Sequence, residues 1–131
     1  MAELLDYRAP SGIIKIPIKQ QGIAKILEVE DNGRATILIS LSKFSNQPTI
    51  IALISVYPLA NSPVIVKYLE GIKYTNNNYE PKIYYNITTS GYIEIYVTTP
   101  AYESCGYRVI SSYGADFTVS QTSLPEGAIQ I

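Results

Sequence analysis

The sequence predicts an all-β fold, an antiparallel β-sandwich of the jelly-roll type preceded by a short N-terminal attachment segment. Its apolar residues fall in roughly eight to ten short runs rich in Ile, Val, Thr and Tyr, separated by Gly, Pro and Asn turn signals. No stretch repeats its apolar residues at the spacing of an amphipathic helix. The chain has 131 residues, 47% of them hydrophobic, which suits one domain with a buried core. We therefore assign residues 12–131 to the β-sandwich and residues 1–11 to the segment before it.

The first third of the chain contains the strongest turn signal in the sequence. A strand over Ile13–Ile18 is expected at a sheet edge, because Pro17 lacks the amide hydrogen that an inner strand donates. Strands are then predicted over Ile23–Glu30 and Ala35–Leu41. Between them, the run Asp31-Asn32-Gly33-Arg34 predicts a tight hairpin turn, because Asn and Gly both tolerate positive φ.

The remaining strands follow from runs of β-branched and aromatic residues bounded by Pro, Gly and Asn. A hairpin is predicted over Lys82–Val97, whose sequence KIYYNITTSGYIEIYV has a Gly between two alternating runs. The other predicted strands are Thr49–Tyr57, Pro63–Leu69, Tyr107–Ser111, Ala115–Ser120 and Ala128–Ile131.

The predicted hairpin is apolar on both of its faces. Successive side chains of a strand point to opposite faces, so one face carries mainly Ile and Val and the other carries Tyr84, Tyr92 and Tyr96. We expect the Ile face to lie in the core. If the Tyr face lies in the core instead, the isoleucines are on the outside and something else must cover them. A strand that is apolar on both faces is buried on both. Something outside the sandwich is therefore expected to cover the hairpin, most simply another copy of the chain.

Three interpretations of these tyrosines stay open. They cover the backbone of an outer sheet face, or they form a subunit interface, or they bind a ligand such as a sugar, on which aromatic rings stack. Tyr74 and Tyr79 flank the polar run Asn76-Asn77-Asn78 shortly before the hairpin. The candidate residues for a subunit interface or a glycan site are Tyr84, Tyr92, Tyr96, Tyr74, Tyr79 and Asn77.

The composition excludes most catalytic chemistry. There is no histidine, so Ser–His and Cys–His nucleophile pairs and histidine-containing zinc sites are impossible. The acidic residues are spread without the spacing of a catalytic pair, and Cys105 has no neighbouring base. No glycine-rich phosphate loop is present. We therefore expect no enzyme activity, no metal and no cofactor.

Charge and hydropathy limit the possible partners. The net charge is −1 and only 16% of residues are charged, so much of the surface must be neutral or covered by a partner. Lys and Arg are scattered singly, which argues against nucleic acid. The N-terminus does not look like a secretory signal, and the longest apolar run, residues 49–60, is too short to span a bilayer. We expect a protein made in the cytosol, without a cleavable export signal and without membrane insertion.

Several segments together resemble a known family. GIIKIPI near the start, and GYIEIYV, GYRVISS and ADFTVSQTSLPEGAIQI towards the end, are similar to the C-terminal head domains of fibre proteins from tailed bacteriophages and prophages. The resemblance covers residues 12–131 and implies a trimeric jelly roll of tumour-necrosis-factor-like topology on a head or tail fibre. The chain departs from the long-fibre pattern, since no shaft, repeat or coiled coil precedes the head. This departure suits a short head fibre or a decoration protein.

The resemblance implies a non-enzymatic structural protein, a homotrimer located in the virion. Leu4, Leu5 and Tyr7 in residues 1–11 are then expected to dock on another virion protein, either the capsid or a fibre base. The outer loops are expected to meet host-surface glycan. A monomeric carbohydrate-binding module is the alternative function, and a lytic enzyme ranks last because no catalytic set supports it.

Overall fold

The computed structural model describes residues 12–16, 22–41, 50–70, 82–99 and 105–131, and the regular structure in these ranges is all β-strand. The predicted all-β class is confirmed. The strands in chain order are β1 (Ile14–Lys15), β2 (Gly22–Leu41), β3 (Ile50–Val56), β4 (Val64–Glu70), β5 (Lys82–Ile87), β6 (Ile93–Thr99), β7 (Cys105–Asp116), β8 (Ser120–Gln121) and β9 (Ile129–Gln130).

The long strand β2 takes part in two antiparallel sheets. Its first half pairs with β6, followed by β5 and then β9, while the short β8 pairs on its other side; we call this the first sheet. Its second half lies between β3 and β7, with β4 beyond β3 and β1 beyond β7; we call this the second sheet. The two sheets pack as a β-sandwich of jelly-roll-like form, as the sequence predicts.

The core lies between the sheets and is built from alternate positions of each strand. In the second sheet, Ile37 of β2 stands opposite Ile54 of β3, and both side chains are 0% exposed. In the first sheet, Ile95 and Val97 of β6 are also 0% exposed. These residues belong to one continuous buried cluster, so the apolar period of two that predicts the strands also builds the core.

Tyr107 of β7 links the two sheets through the core. Its side chain is 1% exposed, and its hydroxyl donates to the carbonyl oxygen of Ile26 at 2.6 Å and to that of Phe117 at 3.3 Å. Ile26 sits at a β-bulge of β2, between Lys25 and Leu27, where the pairing with β6 is interrupted. The tyrosine hydroxyl thus satisfies a buried carbonyl at the irregularity of the strand that both sheets share.

The structure confirms the predicted hairpin over Lys82–Val97. β5 and β6 pair from Lys82 opposite Thr98 to Ile87 opposite Ile93, and Gly91 in the connecting loop has a φ of 84°. The Ile face is the buried one, as predicted, with one exception. Ile87, the last residue of β5, is 54% exposed because it lies where the strand leaves the core.

The predicted turn at Asp31-Asn32-Gly33-Arg34 is wrong. β2 runs through these residues as one strand, and the positive-φ glycines of the described residues do not include Gly33. A Cβ at Gly33 would lie 2.6 Å from the carbonyl oxygens of Tyr113 and Gly114, so glycine is needed here for close strand contact. The positive φ belongs instead to Gly114 on the partner strand, at 61°. Local turn propensity is overridden because β6, β3 and β7 all pair with a continuous β2.

The predicted strand over Ala115–Ser120 is also wrong. β7 continues past the predicted end at Ser111 to Asp116, and the chain then leaves the ladder. The carboxylate of Asp116 accepts the backbone amide of Thr118 at 2.9 Å and its hydroxyl at 2.7 Å, which turns the chain locally. The next strand, β8, contains only Ser120 and Gln121.

Candidate functional site

The predicted tyrosine set lies on the outer side of the first sheet. Tyr84 of β5 pairs with Tyr96 of β6, which pairs with Lys25 of β2. In the next outward row, Asn86 pairs with Glu94, and Glu94 pairs with Glu28. We call this surface the tyrosine face: Tyr84, Tyr92, Tyr96, Asn86, Glu94, Lys25 and Glu28.

Glu94 is the centre of a polar network on this face. Its carboxylate accepts Nδ2 of Asn86 at 2.9 Å and lies 3.1 Å from Nζ of Lys25. The same Nζ is 3.6 Å from the carboxylate of Glu28. Lys25 therefore stands between two acids that the sheet register places side by side.

The network shifts the titration of its members. Partial burial opposes ionisation of Glu94, but hydrogen bonds from Asn86, Lys25 and Tyr96 outweigh burial and lower its pKa. Burial likewise opposes the charge on Lys25, while the hydrogen bond to Glu94 and the nearby carboxylates raise its pKa above the ordinary value. The ion pair is thus held in its charged form around neutral pH.

The three hairpin tyrosines differ in exposure. Tyr96 is only 4% exposed, and burial together with its hydrogen bond to Glu94 raises its pKa. Tyr84 and Tyr92 are half-buried, so part of each ring meets the outside. The face therefore offers two aromatic rings to a partner, whereas the buried Tyr96 is hydrogen-bonded to the Glu94 carboxylate.

Six predicted residues lie outside the described part of the chain. They are Tyr74, Tyr79 and Asn77 of the candidate interface or glycan set, and Leu4, Leu5 and Tyr7 of the predicted attachment segment. The structure brings together the three hairpin tyrosines and leaves the other six as sequence predictions.

A second outer surface, on the second sheet, was not predicted. Leu38 of β2 pairs with Leu53 of β3, in a row that ends on Arg108 of β7 and Lys67 of β4. In the two neighbouring rows, Ile51 lies opposite Ser40 and Ile65 lies opposite Ser55. Ile65 is 57% exposed and Leu69, at the bulge near the end of β4, is 46% exposed. We call this surface the apolar face: Leu38, Ile51, Leu53, Ile65 and Leu69.

A sequence signal for the apolar face was present. The run IIALISV of β3 is apolar at nearly every position, which is typical of a strand buried on both sides. We interpreted it simply as a core strand. The alternate residues Ala52, Ile54 and Val56 of this strand fill the core. The residues between them, Ile51 and Leu53, point away from it.

The described charged side chains differ between the two outer faces. Among the described side chains, the bases on or bordering the apolar face are Lys15, Arg34, Lys67 and Arg108. Those on or bordering the tyrosine face are the acids Glu28, Glu30, Glu94 and Asp116 and the bases Lys25 and Lys82. Glu70, the last residue of β4, lies opposite Ile51 in the register of β3 and β4.

No family model, curated protein or solved structure matches this chain. Within the described ranges, no group of three or more Cys, Asp or Glu side chains is placed to hold a metal ion. The same ranges contain no helix that is long and apolar enough to cross a membrane.

Proposed function

We propose that this protein is a non-enzymatic bacteriophage structural protein, a homotrimeric fibre head or capsid decoration protein. It attaches to the virion through residues 1–11 and presents the β-sandwich for adhesion to host-surface glycan. The observation that supports this proposal most directly is the apolar face. It carries Leu and Ile side chains at outward positions of the second sheet, and two of them, Ile65 and Leu69, are 57% and 46% exposed.

Exposed apolar side chains on the outer side of a sheet favour assembly with other copies. Monomeric proteins seldom expose contiguous apolar patches of more than a few hundred Å². Burying such a patch contributes about 25 cal/mol for each Å² of apolar surface removed from water. The low charged fraction of 16% agrees with this, since a surface hidden between copies does not need charges for solubility.

The virion role rests on the resemblance to phage fibre heads. The assembly argument supports the homotrimer that this resemblance implies. In that family the head is a trimeric jelly roll, and the all-β sandwich with exposed apolar side chains on one outer side is compatible with such an assembly. Leu4, Leu5 and Tyr7 are the apolar residues that would dock residues 1–11 on a capsid or fibre base. Deleting residues 1–11 should leave a folded sandwich that no longer binds virions; a deletion variant that does not fold would contradict a purely attaching role.

The assembly test is the solution mass measured by light scattering. We expect three times the chain mass of 14.5 kDa. Ile65 and Ile87 form a matched pair, at 57% and 54% exposed, of which only Ile65 lies on the apolar face. Ile65→Asp should reduce the mass to that of one chain, whereas Ile87→Asp should not change it. A parent protein of 14.5 kDa would contradict the proposal.

A monomeric carbohydrate-binding module is the second candidate function. The half-buried rings of Tyr84 and Tyr92, beside the amide of Asn86, are the observation in its favour, because sugars stack on rings and hydrogen-bond to amides. A glycan array separates the two candidates when combined with the mass measurement. A monomer that binds a sugar, and loses it with Tyr92→Ala, would favour the module; a monomer with no array signal would leave neither function supported.

A further inference from the structure

We infer that Tyr57, Arg34 and Tyr113 bind an acidic saccharide, a sugar unit that carries a carboxylate. These three residues, which we call the Tyr–Arg–Tyr row, lie side by side on the outer side of the second sheet, where β3 ends. The inference rests on the glycan adhesion in the proposed function. It names both the surface that binds and the class of sugar that is bound.

The strand register brings the three side chains together. Arg34 of β2 stands opposite Tyr113 of β7. On the other side of β2, the pairing of Ala35 with Val56 brings Tyr57 to the level of the arginine. The guanidinium carbon of Arg34 lies 4.7 Å from the centre of the Tyr57 ring. Tyr57 and Tyr113 are 39% and 40% exposed, so the row presents two open aromatic rings with a cation between them.

The positive charge of Arg34 has no carboxylate partner among the described residues. The ion pairs within those ranges both use Lys25, on the first sheet. Two acids precede Arg34 in β2, but Asp31 lies against the loop between β5 and β6, and Glu30 lies against Gly114. A guanidinium binds a carboxylate through two parallel N–H···O bonds. The exposed Arg34 is therefore available to a carboxylate from outside the chain.

Hydroxyl groups line the neighbouring row of the same surface. Thr36 of β2 lies between Ser55 of β3 and Ser111 of β7, and its hydroxyl oxygen is 3.3 Å from that of Ser55. Neighbouring rows on one face of a sheet are two residues apart, about 7 Å, a distance that one sugar unit bridges. A sugar over both rows places its carboxylate at Arg34 and its hydroxyls at Thr36 and Ser55.

The tyrosine rings complete the requirements of a sugar site. A sugar packs the apolar C–H groups of one face on an aromatic ring and hydrogen-bonds through the hydroxyls at its edge. A neutral sugar uses only the rings and hydroxyls of this surface, whereas a carboxylated sugar also uses the guanidinium of Arg34. We therefore expect a carboxylated glycan to bind at least about tenfold more tightly than its neutral counterpart.

The Tyr–Arg–Tyr row lies at the margin of the apolar face. Ile65 lies opposite Ser55, next to the row. From there the apolar face continues away from the row, towards Ile51 and Leu69 at the other end of β3 and β4. A polar margin around an apolar centre is the usual arrangement of a subunit interface. The assembly in the proposed function and a sugar at the margin are thus compatible.

The tyrosine face of the first sheet suits an acidic sugar less well. It carries Glu28 and Glu94, and the Nζ of Lys25 lies within 3.6 Å of both carboxylates. A further carboxylate would meet these two acids and a base that is already paired. Like charges brought together oppose binding, so the acidic sugar selects the second sheet.

The experiment starts with the full-length chain on a glycan array. The array carries hexuronate and sialic acid glycans beside their neutral counterparts, together with sulfated glycans. We expect signals from carboxylated glycans. Calorimetry then compares a bound glycan with its carboxyl methyl ester, which should bind at least about tenfold more weakly. Binding should also be weaker at about 1 M than at about 0.1 M salt, because salt screens exposed charges.

Two matched pairs of variants locate the site. Arg34→Gln removes the charge of the row, and Arg108→Gln removes another exposed charge on the same outer side, opposite Leu38. Tyr113→Thr removes a ring of the row, and Tyr92→Thr removes one from the tyrosine face; threonine favours strands. Arg34→Gln and Tyr113→Thr should each weaken binding at least about tenfold, whereas the two controls should stay within about twofold of the parent.

Circular dichroism and light scattering establish that each variant keeps the parental fold and mass, so that lost binding is not lost assembly. If Tyr113→Thr does not fold, Tyr113→Leu takes its place with the same expectation. Binding that survives Arg34→Gln, or that is lost with Tyr92→Thr and kept with Tyr113→Thr, would overturn the site.

The array also separates this inference from the proposed function. Signals confined to neutral or sulfated glycans would overturn the inference and leave glycan adhesion standing. No signal from any glycan would remove adhesion from the proposed function, and this inference with it. A parental mass of 14.5 kDa would contradict only the proposed assembly.

Discussion

The hydroxyl of Tyr107 is the sharpest single test of how the sandwich is held together. It is buried in the core and donates to the carbonyl oxygens of Ile26 at 2.6 Å and Phe117 at 3.3 Å. Tyr107→Phe keeps the ring, whose centroid lies 6.4 Å from that of Phe117, and removes only the hydroxyl group that donates the hydrogen bond. The Ile26 carbonyl at the β2 bulge then loses its short hydrogen bond inside the core.

The expected loss of stability follows from the cost of an unsatisfied buried carbonyl. Removing one partner of a buried hydrogen bond costs about 1–3 kcal/mol, because the remaining group keeps its desolvation penalty. With about 2.1 cal/mol/K of unfolding entropy per residue, a loss of about 2 kcal/mol in 131 residues lowers Tm by about 7 °C.

The measurement is urea and thermal unfolding of the parent and of Tyr107→Phe, followed by circular dichroism. Tyr57→Phe is the matched control, because its exposed ring remains in place beneath the guanidinium of Arg34, 4.7 Å away. It should change the free energy of unfolding by less than about 0.5 kcal/mol. If both variants are equally stable, the Tyr107 hydroxyl does not hold the bulge, and our account of the junction between the sheets is wrong.

Three further substitutions test the packing, the ion pair and the continuous strand. Ile95→Asp should prevent folding, because it buries a charge at a position that is 0% exposed. Ile87→Asp, at a position that is 54% exposed, should fold. Circular dichroism that shows a folded Ile95→Asp chain would reverse the assignment of the buried and outer faces. The lowered pKa of Glu94 means that its ionised form contributes stability above the ordinary pKa of 4.5, which is lost as the pH falls through the folded-state value. Urea midpoints measured from neutral to acidic pH should therefore fall less for Glu94→Gln than for the parent, and parallel curves would contradict the network. Gly33→Ala should lower the free energy of unfolding by about 3 kcal/mol, because the new Cβ collides with the β7 backbone. Gly127→Ala should lower it by about 1 kcal/mol, because its Cβ meets no atom within 4 Å but its φ is +90°. Equal free energies of unfolding for the two variants would argue for a turn at Gly33.

The hairpin over residues 82–97 shows what local sequence patterns can predict. Its alternation of Ile with polar and aromatic residues, interrupted by one Gly, predicted the strands, the loop and the buried face. These features depend on neighbours along the chain, so they are visible without the rest of the fold. The strands at residues 50–56 and 64–70 were predicted for the same reason.

The Asn32-Gly33 pair shows where local patterns fail. It has the composition of a tight turn, yet it lies inside the longest strand of the protein. Gly33 is needed because the carbonyl oxygens of Tyr113 and Gly114 approach it from β7, 80 and 81 positions away in the chain. A close approach between distant segments leaves no signature that differs from a turn glycine.

The candidate surfaces likewise combine features that the sequence predicts with features that depend on the tertiary structure. That Tyr84, Tyr92 and Tyr96 share a face follows from the period of two, but the burial of Tyr96 and the Lys25–Glu94 pair depend on β2 lying beside β6. The apolar face was missed because its residues look like core residues in the sequence. Which side of β3 faces outward depends on the sheet packed against its other side.

The sequence by itself determined the all-β class, the position of most strands and the absence of histidine chemistry, because composition and alternation act along the chain. Only the tertiary structure decided that β2 is continuous, that Glu94 is held in a paired network and that Ile65 and Leu69 remain exposed on the outer side of the second sheet. Those features arise from contacts between segments far apart in the chain. Their free energies depend on register, burial and neighbouring charge, which a linear pattern does not contain.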